Sequence, residues 1–182
     1  MKILIIHPED RTTDFLKTCY AGSIENKVVV NKAKNRHQIS ELIESHDRLI
    51  MMGHGSQHGL FAVSQFPVNG NYIIDETMID LLGAKKENVY IWCNADSFVR
   101  RHHLKGFFTG MFISEEAEAC YCGLPQINQD AVDESNYEFC RILAKYIQEP
   151  GKDIYTNIKR EYGATAEKNP IAKYNHHRLY FN

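Results

Sequence analysis

Short apolar runs alternate with amphipathic segments along the chain. Residues 2–6, 48–52 and 89–92 are nearly unbroken apolar stretches with the length of a buried strand. Residues 36–46 instead carry apolar side chains at helical spacing, which predicts an amphipathic helix. Strands that alternate with helices are typical of a mostly parallel sheet covered on both faces. The pattern therefore predicts a single α/β domain over residues 1–182, built as a three-layer α/β/α sandwich.

Shorter signals predict the remaining elements. Helices are expected over residues 11–20, 115–122, 132–147 and 154–162, and strands over residues 28–30 and 107–113. The pair Asn69-Gly70 lies between two short apolar pieces and predicts a β-hairpin. Asp75 is suited to begin the next helix as its N-cap, and Gly83 is suited to end it. Residues 169–182 are aromatic and lack helical spacing, so we expect an edge strand or a docked coil.

Composition and charge are those of an ordinary globular protein. Of the 182 residues, 43% are hydrophobic and 24% are charged, and the formal net charge is −2. This charge favours no nucleic-acid partner, and the most basic stretch, residues 100–103, is expected to be a solvated surface. No apolar stretch approaches the roughly 20 residues that a membrane-spanning helix needs. We therefore expect neither nucleic acid nor a membrane as a partner.

The first apolar run and the cysteines indicate the compartment. The run is too short for the hydrophobic region of a signal peptide, and it ends at His7-Pro8 rather than at a small-residue cleavage site. The chain has five cysteines: Cys19, Cys93, Cys120, Cys122 and Cys140. An odd number without the spacing of a disulfide framework indicates free thiols in a reducing compartment. We therefore expect a cytoplasmic protein in which each cysteine either fills the core or takes part in chemistry.

Cys93 directly follows the apolar run over residues 89–92, and His54 follows the run over residues 48–52 after one intervening glycine. In a parallel sheet, ligands bind beyond the carboxyl ends of the strands, where loops and helix N-termini converge. His54 lies between Gly53 and Gly55, which let the chain turn and leave the imidazole accessible. An imidazole can take the proton of a nearby thiol, and the amides of Gly55 and Cys93 could donate to a developing oxyanion. Two short motifs thus supply a general base, a nucleophile and an oxyanion site.

The same segments leave other chemistry open. His54 and His58 are four residues apart and could hold zinc together with His102-His103 or Cys93, although the surrounding glycines disfavour a helix there. Residues 53–59 could cradle a phosphate, although they lack the Lys-Ser/Thr ending of a P-loop and the glycine spacing of a dinucleotide site. A flavodoxin-like domain that binds a small molecule or nucleotide therefore stays open on fold grounds. We expect no metal and no cofactor.

The order of the two motifs resembles that of a known family. An apolar strand that ends in His-Gly, a spacer, and a second apolar strand that ends in Cys are similar to the caspase, legumain, gingipain and separase clan of cysteine peptidases. The resemblance covers residues 48–93, about a quarter of the chain. It implies a caspase-like α/β/α sandwich with His54 as general acid or base, Cys93 as nucleophile and Gly55 as donor of an oxyanion amide. It also implies hydrolysis of a peptide or protein substrate through an acyl-enzyme.

No motif assigns substrate selection. His58, Asp96 and Glu115 are the candidates for contacting substrate, and the two carboxylates suit a basic side chain next to the scissile bond. In the clan, the residue before the nucleophile is usually small or polar, whereas here it is Trp92. That difference leaves a second hypothesis open, in which a catalytically inactive caspase-like domain binds a peptide or protein partner at the same edge.

Overall fold

The computed structural model describes residues 1–32, 34–62 and 71–182. Within these ranges the chain forms nine strands: β1 Ile3–Ile6, β2 Lys27–Val30, β3 Arg48–Met52, β4 Gly55–Ser56, β5 Gly59–Phe61, β6 Tyr72–Asp75, β7 Asn88–Ile91, β8 Gly106–Thr109 and β9 Leu179–Phe181. The same ranges contain seven α-helices: α1 Arg36–Glu44, α2 Ile79–Gly83, α3 Ala95–Arg101, α4 Glu116–Tyr121, α5 Gln129–Tyr146, α6 Gly151–Ala166 and α7 Pro170–His176. Two short 3-10 helices lie at Asp14–Cys19 and Glu76–Met78. No helix in this part of the chain combines the length and the apolar character that crossing a bilayer requires.

The described part of the chain contains a six-stranded sheet with the strand order β2-β1-β3-β7-β8-β9. Neighbouring strands from β2 to β8 are parallel, and β9 pairs antiparallel with β8 at one edge. The expected α/β architecture with a mostly parallel sheet is thus confirmed. This order sets β1, β3 and β7 side by side, so their carboxyl ends meet at one edge of the sheet. Ligands bind at that edge in open α/β proteins.

Alternate side chains of the central strands pack into two cores, because successive residues of a strand point to opposite faces of the sheet. In β1, Ile3 and Ile5 belong to one core, whereas Leu4 and Ile6 belong to the other. The 3-10 helix at Asp14–Cys19 closes the first core together with α5 and α6. Helices α1, α2 and α3 close the second core, with residues of β5 and β6. Helices therefore cover both faces of the sheet, an arrangement compatible with a three-layer sandwich.

A second sheet of three described strands lies between β3 and β7 along the chain. In it β5 pairs antiparallel with both β4 and β6. Gly59, which opens β5, has a φ of +142°, and a Cβ there would lie 2.0 Å from the carbonyl oxygen of Ile74. Glycine is required at this close approach of two backbones. The pairing of β5 with β6 agrees with the predicted hairpin, whose expected turn, Asn69-Gly70, lies outside the described residues.

The tail differs in part from the sequence-based prediction. The expectation of a strand or coil throughout was wrong for Pro170–His176, which forms α7. Asn169 caps this helix by accepting the amides of Ile171 and Ala172, and Pro170 takes the first helical position. Two turns are too short for a visible apolar period. The end of the tail does form an edge strand, β9.

Two other segments are shorter or tighter than predicted. The strand expected over residues 107–113 ends at Thr109. Beyond it, the side-chain amide of Asn175 binds both backbone groups of Ile113, at 2.7 Å from its nitrogen and 2.9 Å from its oxygen. This pairing satisfies the backbone without a neighbouring strand. The helix expected over residues 11–20 is a 3-10 helix at Asp14–Cys19.

Candidate active site

His54 and Cys93 lie at the same edge of the central sheet. Strands β3 and β7 are parallel neighbours, and Met52 opposite Ile91 is their last paired position. His54 and Cys93 each lie two residues after this position, just beyond the end of their own strands, and neighbouring strands are about 4.8 Å apart. Both residues line one open cleft of about 870 Å³. The structure therefore brings together the two residues that the sequence predicts to act as a pair.

The chain turns sharply between β3 and His54. Gly53 has a φ of +140°, a conformation that residues with a Cβ rarely adopt. Its amide donates to the carbonyl oxygen of Ile91 at 3.0 Å, which extends the contact between β3 and β7. As a result His54 leaves the line of the strand and reaches the cleft, although only 9% of it is exposed to solvent.

The side chain of Trp92 connects the loop after β3 to the end of β7, next to Cys93. Its indole nitrogen donates to the carbonyl oxygen of Ser56 at 3.1 Å. Its ring lies against Gly55, where a Cβ would be only 2.3 Å from the indole Cδ1. The large residue before Cys93 thus has a structural reason: it holds the backbone of Gly55 beside the predicted nucleophile.

Two residues of the loop after β1 bind the imidazole of His54. Its Nε2 lies 2.6 Å from the hydroxyl oxygen of Thr12, and that hydroxyl lies 2.6 Å from Oδ1 of Asp10. The same carboxylate oxygen is 3.6 Å from Nε2 of His54, and it accepts the backbone amide of Thr12 at 2.9 Å. Because β1 is the neighbour of β3, this loop reaches His54 from the adjacent strand end.

The hydrogen bonds of this array lower the pKa of the Asp10 carboxyl group. Partial burial raises its pKa. The hydrogen bonds from the hydroxyl and amide of Thr12, together with nearby His54, lower the pKa by more than burial raises it, so the net result lies below the ordinary value. The group is therefore a carboxylate at neutral pH. An imidazolium at His54 would have this negative charge 3.6 Å from Nε2. Asp10, Thr12 and His54 form one hydrogen-bonded array that spans two strand ends.

Cys93 lies on a tight turn between β7 and α3. The next residue, Asn94, is left-handed with a φ of 65°, a conformation that asparagine adopts more readily than most residues. The hydroxyl of Thr109 donates to the carbonyl oxygen of Trp92 at 3.0 Å and fixes the end of the strand. The strand, turn and helix together hold Cys93 half-buried at the cleft.

The thiol of Cys93 donates toward two acceptors on the far side from β3. Its sulfur is 3.4 Å from the carbonyl oxygen of Phe112 and 3.9 Å from Oε1 of Glu118. Burial of the sulfur is the main cause that raises the pKa of Cys93 to about 12, and the charge of Glu118 is the next. The thiol is therefore neutral in this state. Among the described residues no hydrogen bond joins it to His54, so the pair shares a cleft without sharing a proton.

Glu118 is itself held by the segment that begins α4. Its Oε2 accepts the amide of Ser114 at 2.7 Å, the hydroxyl of Ser114 at 2.9 Å and the amide of Glu115 at 3.2 Å. The contact with the amide of Glu115, the N-cap residue, is part of a capping box at the first turn of the helix, and the two contacts with Ser114 add to it. The other oxygen, Oε1, faces the thiol of Cys93. The carboxylate beside the thiol is thus fixed by the fold.

The wall of the cleft opposite β3 is acidic. Helix α4 and the residue before it contribute Glu115, Glu116 and Glu118 to the lining. Apolar side chains complete the wall: Phe61, Met111 and Tyr121. The volume of the cleft falls in the range of ordinary ligand sites. Its lining suits a ligand that has a basic group and some apolar surface.

The sequence-predicted site residues divide into two groups. His54, Gly55, Cys93 and Glu115 all line the cleft. His58 is exposed in the turn between β4 and β5, and Asp96 is half-buried in the first turn of α3. Neither of these two is among the described residues that line the cleft, so the structure gives no support for a contact with substrate.

Three residues of the site were not predicted from the sequence: Asp10, Thr12 and Glu118. Asp10 and Thr12 lie in the loop after a buried strand, four and six residues beyond its end, which is a weaker form of the signal that identified His54 and Cys93. That signal becomes useful only once β1 is known to lie next to β3. Glu118 has no comparable signal, because an acidic residue in the first turn of a helix is common.

A second histidine is buried behind the loop after β1. His7 is 2% exposed, with Nδ1 3.0 Å from the hydroxyl of Tyr20 and Nε2 3.4 Å from the hydroxyl of Thr13. Burial is the main cause that lowers the pKa of His7 to about 4, and the charge of Lys17 lowers it further. His7 is therefore neutral at neutral pH and links the loop to the core.

Within residues 1–32, 34–62 and 71–182, no group of three or more His, Cys, Asp or Glu side chains is placed to hold a metal ion. Comparisons with protein-family models, with curated proteins and with solved structures give no match.

Proposed function

We propose that the chain is a caspase-like cysteine peptidase in which Cys93 is the nucleophile and His54 the general base. The observation that carries the proposal is the single cleft that both residues line at the ends of neighbouring parallel strands. The imidazole already has a partner that orients it, the hydroxyl of Thr12. A nucleophile beside a base that a third group orients is the recurring arrangement of catalytic triads.

The proposed reaction passes through an acyl-enzyme. His54 removes the proton of the Cys93 thiol, and the sulfur attacks the carbonyl carbon of a peptide bond. The carbonyl electrons move to the oxygen, to which the amides of Gly55 and Cys93 donate. The tetrahedral intermediate collapses, the C–N bond breaks, and His54 gives its proton to the leaving amine. A water molecule that His54 deprotonates then hydrolyses the thioester and restores the thiol.

Before this reaction, the thiol of Cys93 must leave its contacts with Phe112 and Glu118 and turn toward His54. In the resting state it donates toward Phe112 and Glu118, and its pKa is raised to about 12. A rotation about the Cα–Cβ bond of Cys93 moves the sulfur between staggered positions without moving the backbone. A substrate cation that pairs with Glu118 would also offset the charge that raises the pKa. The proposed enzyme therefore rests with a neutral thiol that bound substrate activates.

The lining of the cleft supports a peptide substrate with a basic side chain. Glu115, Glu116 and Glu118 set three carboxyl groups on one wall. Opposite charges attract more strongly where protein excludes part of the solvent. The apolar side chains beside them can cover neighbouring residues of an extended peptide. We therefore propose cleavage of a peptide or protein substrate next to Lys or Arg.

The test is hydrolysis of a fluorogenic peptide library that varies the residue before the scissile bond. We expect the wild type to cleave after basic residues and to be labelled covalently at Cys93 by a peptidyl acyloxymethyl ketone. Cys93→Ala and His54→Gln should each lower kcat/KM by about 10³-fold or more, because nucleophile and base act as a unit. Cys120→Ala changes an exposed cysteine outside the lining of the cleft and is the matched control.

Two results together would reject the proposal. One is the absence of cleavage of any library member by the wild type. The other is labelling of Cys93 by the ketone no faster than labelling of Cys120. Cleavage that survives in Cys93→Ala would assign the activity to another residue or to a contaminant.

A non-catalytic peptide-binding domain is the second candidate function. The contact between Cys93 and Glu118 favours it, because a thiol with a raised pKa is a poor nucleophile. In that case the acidic cleft binds basic peptides without cleaving them. Calorimetry would then give equal affinities for the wild type and Cys93→Ala, with all peptides recovered intact.

A further inference from the structure

We propose that Asp10 and Thr12 are positioning residues that fix the tautomer and orientation of His54, a role that rests on the proposed function. Neither residue belongs to the two motifs that resemble cysteine peptidases. Both come from the loop after β1, and Thr12 reaches His54 across 42 residues of sequence. The proposal is carried by the geometry of the array that these three side chains form.

The Thr12 hydroxyl determines which nitrogen of His54 carries the proton. A hydroxyl has one hydrogen to donate and two lone pairs that accept. The Asp10 carboxylate only accepts, so the hydroxyl of Thr12 donates to it across the 2.6 Å contact. The hydroxyl must then accept in its other 2.6 Å contact, and Nε2 of His54 is the donor. Neutral His54 is thereby protonated at Nε2, and Nδ1 keeps its lone pair.

This assignment leaves Nδ1 as the basic nitrogen of His54. In the proposed reaction Nδ1 takes the proton of Cys93, while the Nε2 proton stays bound to Thr12. When the ring becomes charged, the carboxylate of Asp10 lies 3.6 Å from Nε2 and stabilises the imidazolium. A buried or partly buried carboxylate that orients a catalytic imidazole is a recurring device in enzymes. Here the hydroxyl of Thr12 stands between the two groups.

If Asp10 and Thr12 only stabilised their own loop, the contact between the Thr12 hydroxyl and His54 would not be needed. The Thr12 amide that binds Asp10 closes a local turn and needs neither a threonine hydroxyl nor a histidine. The hydroxyl contact, in contrast, links the loop after β1 to the loop after β3. The array is also half-buried, so water competes less for these hydrogen bonds than at an open surface.

The charged and titratable groups around His54 come from three sides. Asp10 approaches Nε2 from the loop after β1. Cys93 lines the same cleft from β7, and three carboxyl groups line it from the α4 side: Glu115, Glu116 and Glu118. His7 lies under Gly53, 3.9 Å from the position of a Cβ there. A pH profile alone therefore mixes several groups, and the test needs a direct reading of the His54 ring.

Nuclear magnetic resonance of ring-¹⁵N-labelled protein gives that reading. At a pH above 8, where unbound histidine is neutral, we expect the His54 proton on Nε2, with a hydrogen-bonded proton resonance protected from exchange with water. Assignment follows from its absence in His54→Gln. Thr12→Ser keeps the hydroxyl and should keep this resonance. Thr12→Val, which has nearly the same shape, should lose it.

Kinetics then test the role in catalysis. We expect Thr12→Val to lower kcat by about 10²-fold with little change in KM, since misplacing a catalytic group by about 1 Å has that effect. Thr12→Ser should restore most of kcat. Asp10→Asn still accepts from Thr12 but lacks the charge, so it should keep the Nε2 proton and lower kcat about tenfold.

Separate outcomes overturn the two proposals. A proton on Nδ1 in the wild type, or a protected Nε2 proton that survives in Thr12→Val, overturns the positioning role. A protected Nε2 proton in a protein that cleaves no peptide, and whose Cys93 is labelled no faster than Cys120, leaves the array intact and rejects the peptidase. Because Thr12→Ser and Asp10→Asn both retain a hydrogen-bonding pair, a folding defect confined to Thr12→Val does not remove the test.

Discussion

The indole ring of Trp92 occupies the space in which a side chain on Gly55 would have to lie. This contact joins the two strand ends that carry His54 and Cys93. The ring is 1% exposed, and its nitrogen is bound to the carbonyl oxygen of Ser56. The spacing between the predicted base and the predicted nucleophile is therefore set by a packed aromatic ring as well as by the sheet.

The first prediction follows from this packing. In Gly55→Ala the new Cβ would lie 2.3 Å from Cδ1 of Trp92 and 2.7 Å from the carbonyl oxygen of Gly59. Neither a buried ring nor a backbone oxygen moves easily, so we expect a loss of about 2 kcal/mol in the free energy of unfolding. Urea denaturation followed by tryptophan fluorescence measures it, because Trp92 is the only tryptophan in the chain.

Gly22→Ala is the matched control for that substitution. A Cβ at Gly22 meets no described atom within 4 Å. Its free energy of unfolding should stay within about 0.5 kcal/mol of the wild type, as is usual for surface substitutions. Equal stabilities of the two variants would show that the loop after β3 moves freely over Trp92.

The sequence predicts the central strands better than their order. Strands β1, β3 and β7 are buried on both faces, so each appears in the sequence as a nearly unbroken apolar run. Such a run says that a strand is buried but not which strand lies beside it. The order β2-β1-β3-β7 was therefore visible only in the structure. Helix α7 escaped prediction for a different reason, because Asn169 and Pro170 specify it by capping rather than by apolar spacing.

The same distinction explains which site residues could be predicted. His54 and Cys93 each lie two residues beyond the end of an apolar strand, so a rule about strand ends finds both. The contact of Thr12 with His54 depends on β1 lying next to β3, which local patterns do not encode. The contact of Glu118 with Cys93 depends on how α4 folds back after β8, and no spacing in the sequence signals it.

The second prediction concerns the thiol of Cys93. Burial is the larger cause of its raised pKa, and the charge of Glu118 is the next. Glu118→Gln removes that charge, whereas glutamine still serves in a capping box. The pKa of Cys93 should fall but stay above its ordinary value, because burial remains. We expect iodoacetamide to alkylate Cys93 roughly tenfold faster at pH 8, because a larger fraction of the thiol is then thiolate.

Mass spectrometry of the peptide that contains Cys93 measures this rate. Exposed Cys120 in the same sample is the internal reference for the reagent. Glu116→Gln changes an exposed carboxylate that lines the same cleft, and it should leave the rate within twofold. Equal acceleration by both variants would mean that the general charge of the cleft, rather than the contact with Glu118, controls the thiol.

The third prediction concerns stability below neutral pH. Burial lowers the pKa of His7 from 6.5 to about 4 in the folded state. Between these values the unfolded chain binds a proton that the folded chain excludes, so stability is full above pH 6.5 and falls as the pH drops toward 4. We expect this residue to account for a loss of about 2 kcal/mol in the free energy of unfolding between pH 7 and pH 5.

Urea unfolding at both pH values should show a smaller loss in His7→Gln, whereas His37→Gln, at an exposed position of α1, should match the wild type. A pH dependence unchanged by His7→Gln would mean that His7 takes up its proton in the folded protein as readily as in the unfolded chain.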